Sequence, residues 1–400
     1  MIVRHLSLTN FRLYARLELD LPRGLVIVQG DNAQGKTSLL EAIYFLATAH
    51  SPHTHADRQV IRWGAEEEGP FPFAMLKANI ERSDGLHLIE MALQRGESNR
   101  LRKEIRIDRV SRRGIDLVGQ LNVVLFLPGD VELVAGPPAL RRDFLDAALS
   151  QLDAGYVRAL DQYTRALAQR NALLKQAQER KLDPDELAIW DDQLVPAGVE
   201  IATQRRRAVA ELARLAAPIH RELSNGLEYL QIIYRPNFDP ARPHTLDEPY
   251  QVSIDDSRPP AGVDRHALYQ AFRQALEERR REEIARGMTL VGPHRDEVRF
   301  VANGMDLGDF GSRGQQRTAV LALKLAQVEW MRERTREEPV LLLDEVLAEL
   351  DPHRRHCLLG RIERAHQTIV TTTDVHRFDR DFLRDSAMLR VCAGVVSAAL

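Results

Sequence analysis

The rhythm of apolar and polar positions changes twice along this chain. Over roughly the first 127 residues it is that of short strands. Apolar and β-branched residues cluster at 2–8, 14–21 and 24–29, with Asn10-Phe11-Arg12 as a turn between the first two clusters. Candidate strands at 74–81, 87–94 and 101–108 follow, separated by short turns as in an antiparallel meander. Residues 123–127 read as a buried strand stopped by Pro128-Gly129. Then the period lengthens. Leu145, Leu149, Leu152, Tyr156, Leu160, Tyr163 and Leu167 recur every three or four positions, and no proline interrupts residues 139–182. One long amphipathic helix is expected there. A second helical tract, from about 186 to 230, carries Pro196 and Pro218 as expected kinks and Arg205-Arg206-Arg207 as an expected solvated face. The two tracts suggest a short antiparallel arm. Prolines between 236 and 260 mark an irregular connection. A helix at 265–286 follows, with its mixed-charge run 277–283 expected to be exposed. Strands are expected again near 289–291 and 298–301.

Composition narrows the picture. The 400 residues are 44% hydrophobic and 28% charged, in the ordinary range of folded chains and enough for a large core, and two lobes are expected. The net charge of −3 means that any nucleic-acid contact must come from a local patch. Such a patch exists between Arg95 and Arg113, where eight basic residues stand against three acidic ones. Arg100, Arg102, Lys103, Arg106, Arg109, Arg112 and Arg113 are therefore candidates for DNA phosphates, the alternative being a solvated strand face. Cys357 and Cys392 suggest no disulfide framework and are expected as small buried hydrophobes in a reducing cytoplasm. The first residues lack a basic stretch followed by an apolar core, so no signal peptide is expected. No apolar run is long enough to cross a bilayer. His50, His53 and His55 have spacing that could ligate a metal, but no cysteine or carboxylate cluster completes a site, and a solvated loop is expected.

The candidate chemistry starts at Gly30-Asp31-Asn32-Ala33-Gln34-Gly35-Lys36-Thr37-Ser38, which fits the phosphate-binding pattern G-x-x-x-x-G-K-[ST]. An apolar strand precedes it and a helical stretch follows, the context that separates this motif from a chance glycine turn. Its glycines let backbone amides approach phosphate oxygens. The helix adds its positive end. Lys36 can reach the β- and γ-phosphates, and the Thr37 hydroxyl can bind Mg²⁺.

A P-loop also needs a carboxylate at the end of a buried strand. That strand comes very late, as Val340-Leu341-Leu342-Leu343-Asp344-Glu345. Asp344 is the expected metal partner, and Glu345 is placed to orient or deprotonate an attacking water. Between these halves, Gly311-Ser312-Arg313-Gly314-Gln315 precedes a helix at 318–334, and Ser312 and Gln315 have capping-box spacing. This is a second helix end suited to an anion. One triphosphate does not need two such ends in one chain. Two chains facing each other would, each offering this end to the nucleotide on the other's P-loop; the alternative is a capped structural helix.

Together the P-loop, the Ser-x-Gly-Gln segment, the Asp-Glu strand and Glu349-Leu350-Asp351 resemble the ABC-type ATPase head of SMC-like proteins. Within that group the chain resembles the RecF-like family of bacterial recombination mediators. The resemblance runs through Leu8–Arg12, Pro137-x-x-x-Arg141-Arg142-x-Phe144-Leu145-Asp146, Gln169-Arg170-Asn171 and Val291-Gly292-Pro293-His294-Arg295-Asp296. It implies an α/β ABC-type P-loop head with mixed sheets plus a short α-helical arm. The head would be built from residues 1–135 and 289–400, and the arm from 136–288. It implies ATP and Mg²⁺ as cofactors, an ATP-dependent homodimer, and weak DNA-stimulated ATP hydrolysis. It further implies binding to double-stranded DNA near single-strand gaps, and work with RecR and RecO in loading RecA during DNA repair, replication and the SOS response. By position, Arg12 joins the nucleotide-binding residues, and Ser312, Gly314 and Gln315 act in trans. Arg313 departs from the usual glycine of the ABC signature. Thr371-Thr372-Thr373-Asp374 stands where transporters carry a switch histidine, with His376 two residues on.

Other readings are weaker. A transporter head has a short gap between P-loop and signature, whereas 276 positions separate Lys36 from Ser312. A structural SMC tether needs hundreds of heptad residues, which this chain lacks. A metabolic kinase would need an acceptor pocket and no Ser-x-Gly-Gln helix. An SMC-like or ABC-type ATPase that does not act on gapped DNA remains the alternative.

Overall fold

The computed structural model describes residues 1–54, 56–65, 72–96, 101–178, 184–238, 264–363, 365–375, 378, 383–384 and 386–398. Its first part holds β1 (Ile2–Phe11), β2 (Tyr14–Asp20), β3 (Gly24–Gln29), α1 (Lys36–Thr48), β4 (Phe73–Arg82), β5 (Gly85–Arg95), β6 (Leu101–Ile107), β7 (Val110–Arg112) and β8 (Val123–Phe126). The middle holds α2 (Glu132–Ala135), α3 (Pro138–Ser150), α4 (Ala154–Gln176), α5 (Pro184–Leu223), β9 (Leu230–Arg235) and α6 (Arg265–Arg286). Then come β10 (Glu297–Ala302), β11 (Met305–Asp306), α7 (Leu307–Phe310) and α8 (Arg313–Thr335). The chain closes with β12 (Val340–Asp344), α9 (Pro352–Ile362), β13 (Gln367–Thr372), β14 (Ala387–Cys392) and β15 (Val395–Ala398). No described helix is long and apolar enough to cross a membrane.

Two compact units result, Met1–Asp130 with Gln327–Leu400, and Val131–Ala326. The expected division placed residues from 289 onward with the first unit. Instead β10 pairs along its length with β9, Glu297 opposite Arg235 and Ala302 opposite Leu230, which ties 289–326 to the second unit.

The first unit contains two sheets. One is antiparallel, ordered β2-β1-β4-β5-β6-β7, and includes the expected meander. The other is ordered β15-β14-β3-β13-β12-β8, parallel except for the β14–β15 hairpin. Its central strands β12 and β13 are buried at every residue, hence their continuous run of leucine, isoleucine, valine and threonine. Helix α1 buries Leu39, Leu40, Ile43, Phe45 and Leu46 in the same core as both sheets.

The second unit combines the sheet β11-β10-β9 with the longer helices. The long helix expected over 139–182 is two helices. Asp153 ends the continuity because its side chain accepts hydrogen bonds from the amides of Gly155 (2.6 Å) and Tyr156 (3.1 Å), starting α4 afresh. The buried stripe of α4 is Tyr156, Ala159, Tyr163, Ala166, Arg170 and Leu174, while Leu152, Leu160 and Leu167 are half-buried. Helix α5 contains both Pro196 and Pro218 and ends at Leu223, so residues 230–235 are free to form β9. Arg170 bonds Asp191 (2.6 Å) and Arg205 bonds the Tyr156 hydroxyl (3.0 Å), so later residues of α5 meet earlier residues of α4 and the two helices are antiparallel.

Two charged stretches expected in solvent are partly interior. Arg205 is 2% exposed. It donates to Asp146 (2.7 Å) and to the Pro293 carbonyl (2.7 Å), and lies 3.3 Å from Asp296. Glu283, within the mixed-charge run, is fully buried and pairs with Arg170 at 2.7 Å. Interior charges persist only when paired and hydrogen-bonded, and these are. Residues 289–291 form no strand because side chains take their amides. Asn171 accepts from Thr289 N (2.7 Å), and Glu283 accepts from Leu290 N (2.8 Å). Beside them, His294 bonds the Tyr163 hydroxyl through Nδ1 (2.6 Å) and the Thr289 carbonyl through Nε2 (3.1 Å). Burial pushes this imidazole down to about 4 and, in the same segment, pushes the Asp296 carboxyl up to about 6.

The cysteines also differ from expectation. Cys357 is half-buried and Cys392 exposed, and neither forms a disulfide. In β14 the side chains alternate, so Val391 points inward and Cys392 outward; α9 buries Leu358, Leu359 and Ile362 instead of Cys357. His50 and His53 are exposed, His55 lies outside the described residues, and no cluster of metal-binding side chains occurs among the described residues. The proline-rich connection at 239–263 lies outside them as well.

Candidate nucleotide site

The parallel sheet brings the two distant halves of the sequence pattern together. Strands β3 and β12 both point their carboxyl ends to the same edge, with β13 between them. Gly30 follows β3 and Asp344 closes β12, the edge where open parallel sheets carry ligands. The Thr37 hydroxyl, on the first turn of α1, lies 2.9 and 3.1 Å from the two carboxylate oxygens of Asp344. Lys36 is 4% exposed. Its ammonium donates to the Gly30 (2.8 Å) and Asp31 (2.9 Å) carbonyls and stands 2.9 Å from Glu345 Oε1.

The loop itself shows why its glycines are required. A Cβ on Gly30 would sit 2.4 Å from the Val391 carbonyl oxygen. Gly35 has φ +115 and serves as the N-cap of α1. Having no side chain, it leaves the first-turn amides of Lys36, Thr37 and Ser38 without a side-chain cap, the condition for anion binding there. Asp31, Asn32 and Ala33 are exposed, with Ala33 at φ +62. Gln34 is tied down: its side chain accepts from Ala393 N (2.6 Å) and its carbonyl from Gly394 N (3.0 Å), so the β14–β15 hairpin braces the loop.

Three residues have supporting roles that the sequence pattern does not show, Thr371 among them although its segment stands at the switch position. Thr371, buried at the end of β13, donates to Asp344 Oδ1 (2.7 Å) and accepts from Glu345 N (3.1 Å). It thereby holds both acidic residues, and Glu345 adopts the uncommon left-handed conformation at φ +52. Tyr14 donates its hydroxyl to the Gly35 carbonyl (2.9 Å), and burial raises its phenol well above the usual range, so it remains a donor. Glu41 is 3% exposed at its side chain and grips Arg12 through both oxygens, at 2.8 and 2.6 Å. The Arg12 guanidinium also donates to the Gln59 carbonyl (2.8 Å). The available signals were a threonine ending an apolar strand and a carboxylate on the buried side of α1.

The signature segment lies in the second unit. Ser312 is exposed and opens α8; its Oγ accepts from Gln315 N (3.3 Å) while Gln315 Oε1 accepts from Ser312 N (2.9 Å). The expected capping box therefore forms, with Arg313 exposed and Gly314 half-buried beside it. Asp351 caps α9, accepting from Arg354 N (3.0 Å), a bond that lowers its carboxyl below the usual range. His376 lies outside the described residues.

In the basic patch, Arg102, Arg106, Arg109, Arg112 and Arg113 are exposed. Arg109 stands at the tip of the two-residue β6–β7 turn, where Asp108 and Arg109 both have positive φ. Strand alternation puts Arg102 and Arg106 on one face with Glu104, which Arg106 bonds at 2.9 Å. Arg112 pairs with Ile105 and so belongs to the opposite face. Lys103 also turns inward, to Asp57 (2.7 Å), the Ala49 carbonyl (2.5 Å) and the ring of Phe45. Arg100 lies outside the described residues.

The chain is similar along its whole length to known proteins. Residues 2–389 match the family described as RecF/RecN/SMC N terminal domain. The DNA replication and repair protein RecF of Chloroflexus aurantiacus is 44% identical over 410 residues, covering all of both chains. That of Gloeobacter violaceus is 40% identical over 403 residues, covering 100% of this chain and 99% of the relative. A solved structure of the recombination mediator protein RecF with ATP, in the RecFOR pathway, is 28% identical with a TM-score of 0.82, covering 100% and 97%. An Smc head domain from Pyrococcus furiosus shares the fold at a TM-score of 0.50 and 15% identity, covering 99% and 95%. The fold is an ABC-type ATPase head, and the chain belongs to the RecF family.

Proposed function

We propose that this chain is an ATP-dependent DNA-binding protein of recombinational repair, working in the cytoplasm as a nucleotide-gated dimer. The observation that carries this reading is the approach of Thr37 to Asp344 across 307 positions of sequence, beside the Lys36–Glu345 pair. A hydroxyl and a carboxylate present hard oxygen donors of the kind Mg²⁺ takes along with phosphate oxygens. Bound there, Mg²⁺ would neutralise charge on the phosphates. Lys36 exchanges its loop carbonyls for phosphate oxygens, and the first-turn amides of α1 add to the cradle. Glu345 orients the attacking water and accepts its proton.

Ser312, Gly314 and Gln315 complete the nucleotide site of a second copy, which makes ATP the glue of a homodimer. Arg12 serves the same nucleotide from its clamp on Glu41. The exposed arginines around β6 and β7 take duplex phosphates near a single-strand gap. Slow, DNA-stimulated hydrolysis then resets the dimer, and RecR with RecO uses the bound state to promote RecA loading. Sedimentation with and without ATP and duplex DNA tests this reading. A dimer that forms only with ATP and then carries DNA is expected; a monomer under all conditions would overturn it.

A further inference from the structure

The capping box at Ser312 does not stand alone. Gln315 uses its Oε1 on Ser312 N, and its Nε2 donates to Glu228 Oε1 at 2.8 Å. Glu228 sits in the short segment between α5 and β9, and that segment is fixed from two sides. On the helix side, Gly226 N donates to the Arg221 carbonyl (2.7 Å), Leu227 N to the Ser224 carbonyl (3.1 Å), and Glu228 N to Ser224 Oγ (3.3 Å). Glu228 Oε2 also lies 3.7 Å from Nε2 of the fully buried His220 on α5. On the sheet side, Asn303 in the β10–β11 turn receives Tyr229 N (2.9 Å) and donates to the Leu227 carbonyl (3.1 Å). A carboxylate on a braced turn thus grips the one side chain that holds the signature cap in shape.

We propose that Glu228 is a positioning residue for the signature: through Gln315 it sets the orientation of Ser312, and it ties that orientation to the end of helix α5. The proposal rests on the reading that Ser312 serves the nucleotide of a second copy. A serine that must meet a phosphate from another chain needs a fixed direction, because an offset of about 1 Å is costly in such sites. An exposed capping box alone leaves Gln315 able to rotate away. The bond to Glu228 removes that freedom, and its donor and acceptor are assigned without ambiguity because a carboxylate only accepts.

That assignment gives a reciprocal test in the full-length protein. Gln315→Glu keeps a side chain suited to the capping box but sets two carboxylates against each other. ATP-dependent dimerisation, read by sedimentation, should weaken about tenfold or more, while ATP binding to the monomer stays unchanged. Adding Glu228→Gln supplies a donor to the new carboxylate and should restore dimerisation to within about threefold of the parent. Glu228→Gln alone keeps an acceptor for Gln315 and should stay close to the parent, whereas Glu228→Ala should behave like Gln315→Glu. Parent-like dimerisation of Gln315→Glu, or a double variant no better than the single one, overturns the proposal. Ser312→Arg separates it from the reading beneath it. If that variant blocks dimerisation while the Glu228 and Gln315 variants dimerise normally, only the positioning role is lost. If it dimerises normally, the two-copy site itself fails.

Discussion

Thr371 offers the sharpest test of how the acidic strand is held. Valine is nearly isosteric, so Thr371→Val changes chemistry more than shape. Two bonds disappear. The hydroxyl donates to the Asp344 carboxylate at 2.7 Å, and a bond to a charged group is worth about 1.5–3 kcal/mol. It also accepts from Glu345 N at 3.1 Å, and an amide left unpaired costs about 1–3 kcal/mol more. Thr371 is 1% exposed, so water does not readily replace either partner. With partial relaxation the loss is about 3 kcal/mol. In a unit of about 200 residues this corresponds to a melting temperature lower by roughly 6–12 °C. Glu345, held at positive φ beside this bond, loses its anchor, and turnover should fall about tenfold at saturating Mg–ATP. Thr371→Ser keeps the hydroxyl and should recover most of both losses. Thermal unfolding and single-turnover ATP hydrolysis measure the two effects. A valine variant melting within about 1 °C of the parent, with parent-like turnover, would refute the reasoning.

Further tests address the remaining parts. Lys36→Ala should abolish ATP binding by equilibrium dialysis, and intact affinity would remove Lys36 from the phosphate site. Glu345→Gln should bind ATP, hydrolyse it at least tenfold more slowly and accumulate dimers; unchanged hydrolysis would exclude it as the base. Reversing Arg102, Arg106 and Arg109 to glutamate should weaken duplex binding and flatten its log–log salt dependence by roughly 3 if each meets one phosphate, and an unaltered slope would place the DNA elsewhere. His294 titrates lower in the native state than in the unfolded chain, so its contribution to stability is present above pH 6.5 and is lost as pH falls toward 4, whereas Asp296, shifted upward, opposes this by losing stability as pH rises toward 6. His294→Gln should therefore lose roughly 2 kcal/mol less than the parent between about pH 6.5 and 4.5 in thermal unfolding, and parallel curves would contradict this account.

The parts legible in the sequence were those written in local patterns. β3 spans the residues expected of it, the loop and α1 follow as the motif requires, and Ser312 and Gln315 form the box that their spacing announced. Residues whose role depends on distant partners were misread. Arg205 and Glu283 look like surface charges because sequence shows the charge and hides the counter-charge; Asp146 is 59 positions from Arg205, and Arg170 is 113 positions from Glu283. Likewise the apolar repeat over 139–182 concealed a break, since Asp153 stops one helix and starts another without disturbing the spacing of leucines around it. Lys103 was counted with its basic neighbours, although strand alternation alone turns it to the side of Ile105 and Ile107.

Strand order explains why the site needs a residue that no phosphate motif contains. β13 lies between β3 and β12, so the P-loop and the acidic strand are not neighbours in the sheet. The Thr37–Asp344 contact crosses that strand at its carboxyl end, and the acidic side of that contact has to be held in place from β13. The pairing registers put Thr371 opposite Asp344 on one side and Val28 on the other, at the level where β3 runs out into the loop. A side chain there must be short enough to stay buried and must both donate to a carboxylate and accept from an amide, which threonine and serine do and valine does not. The same strand order puts the carboxyl end of β13 within reach of both acidic residues, so that one hydroxyl is bonded to Asp344 and to Glu345 together.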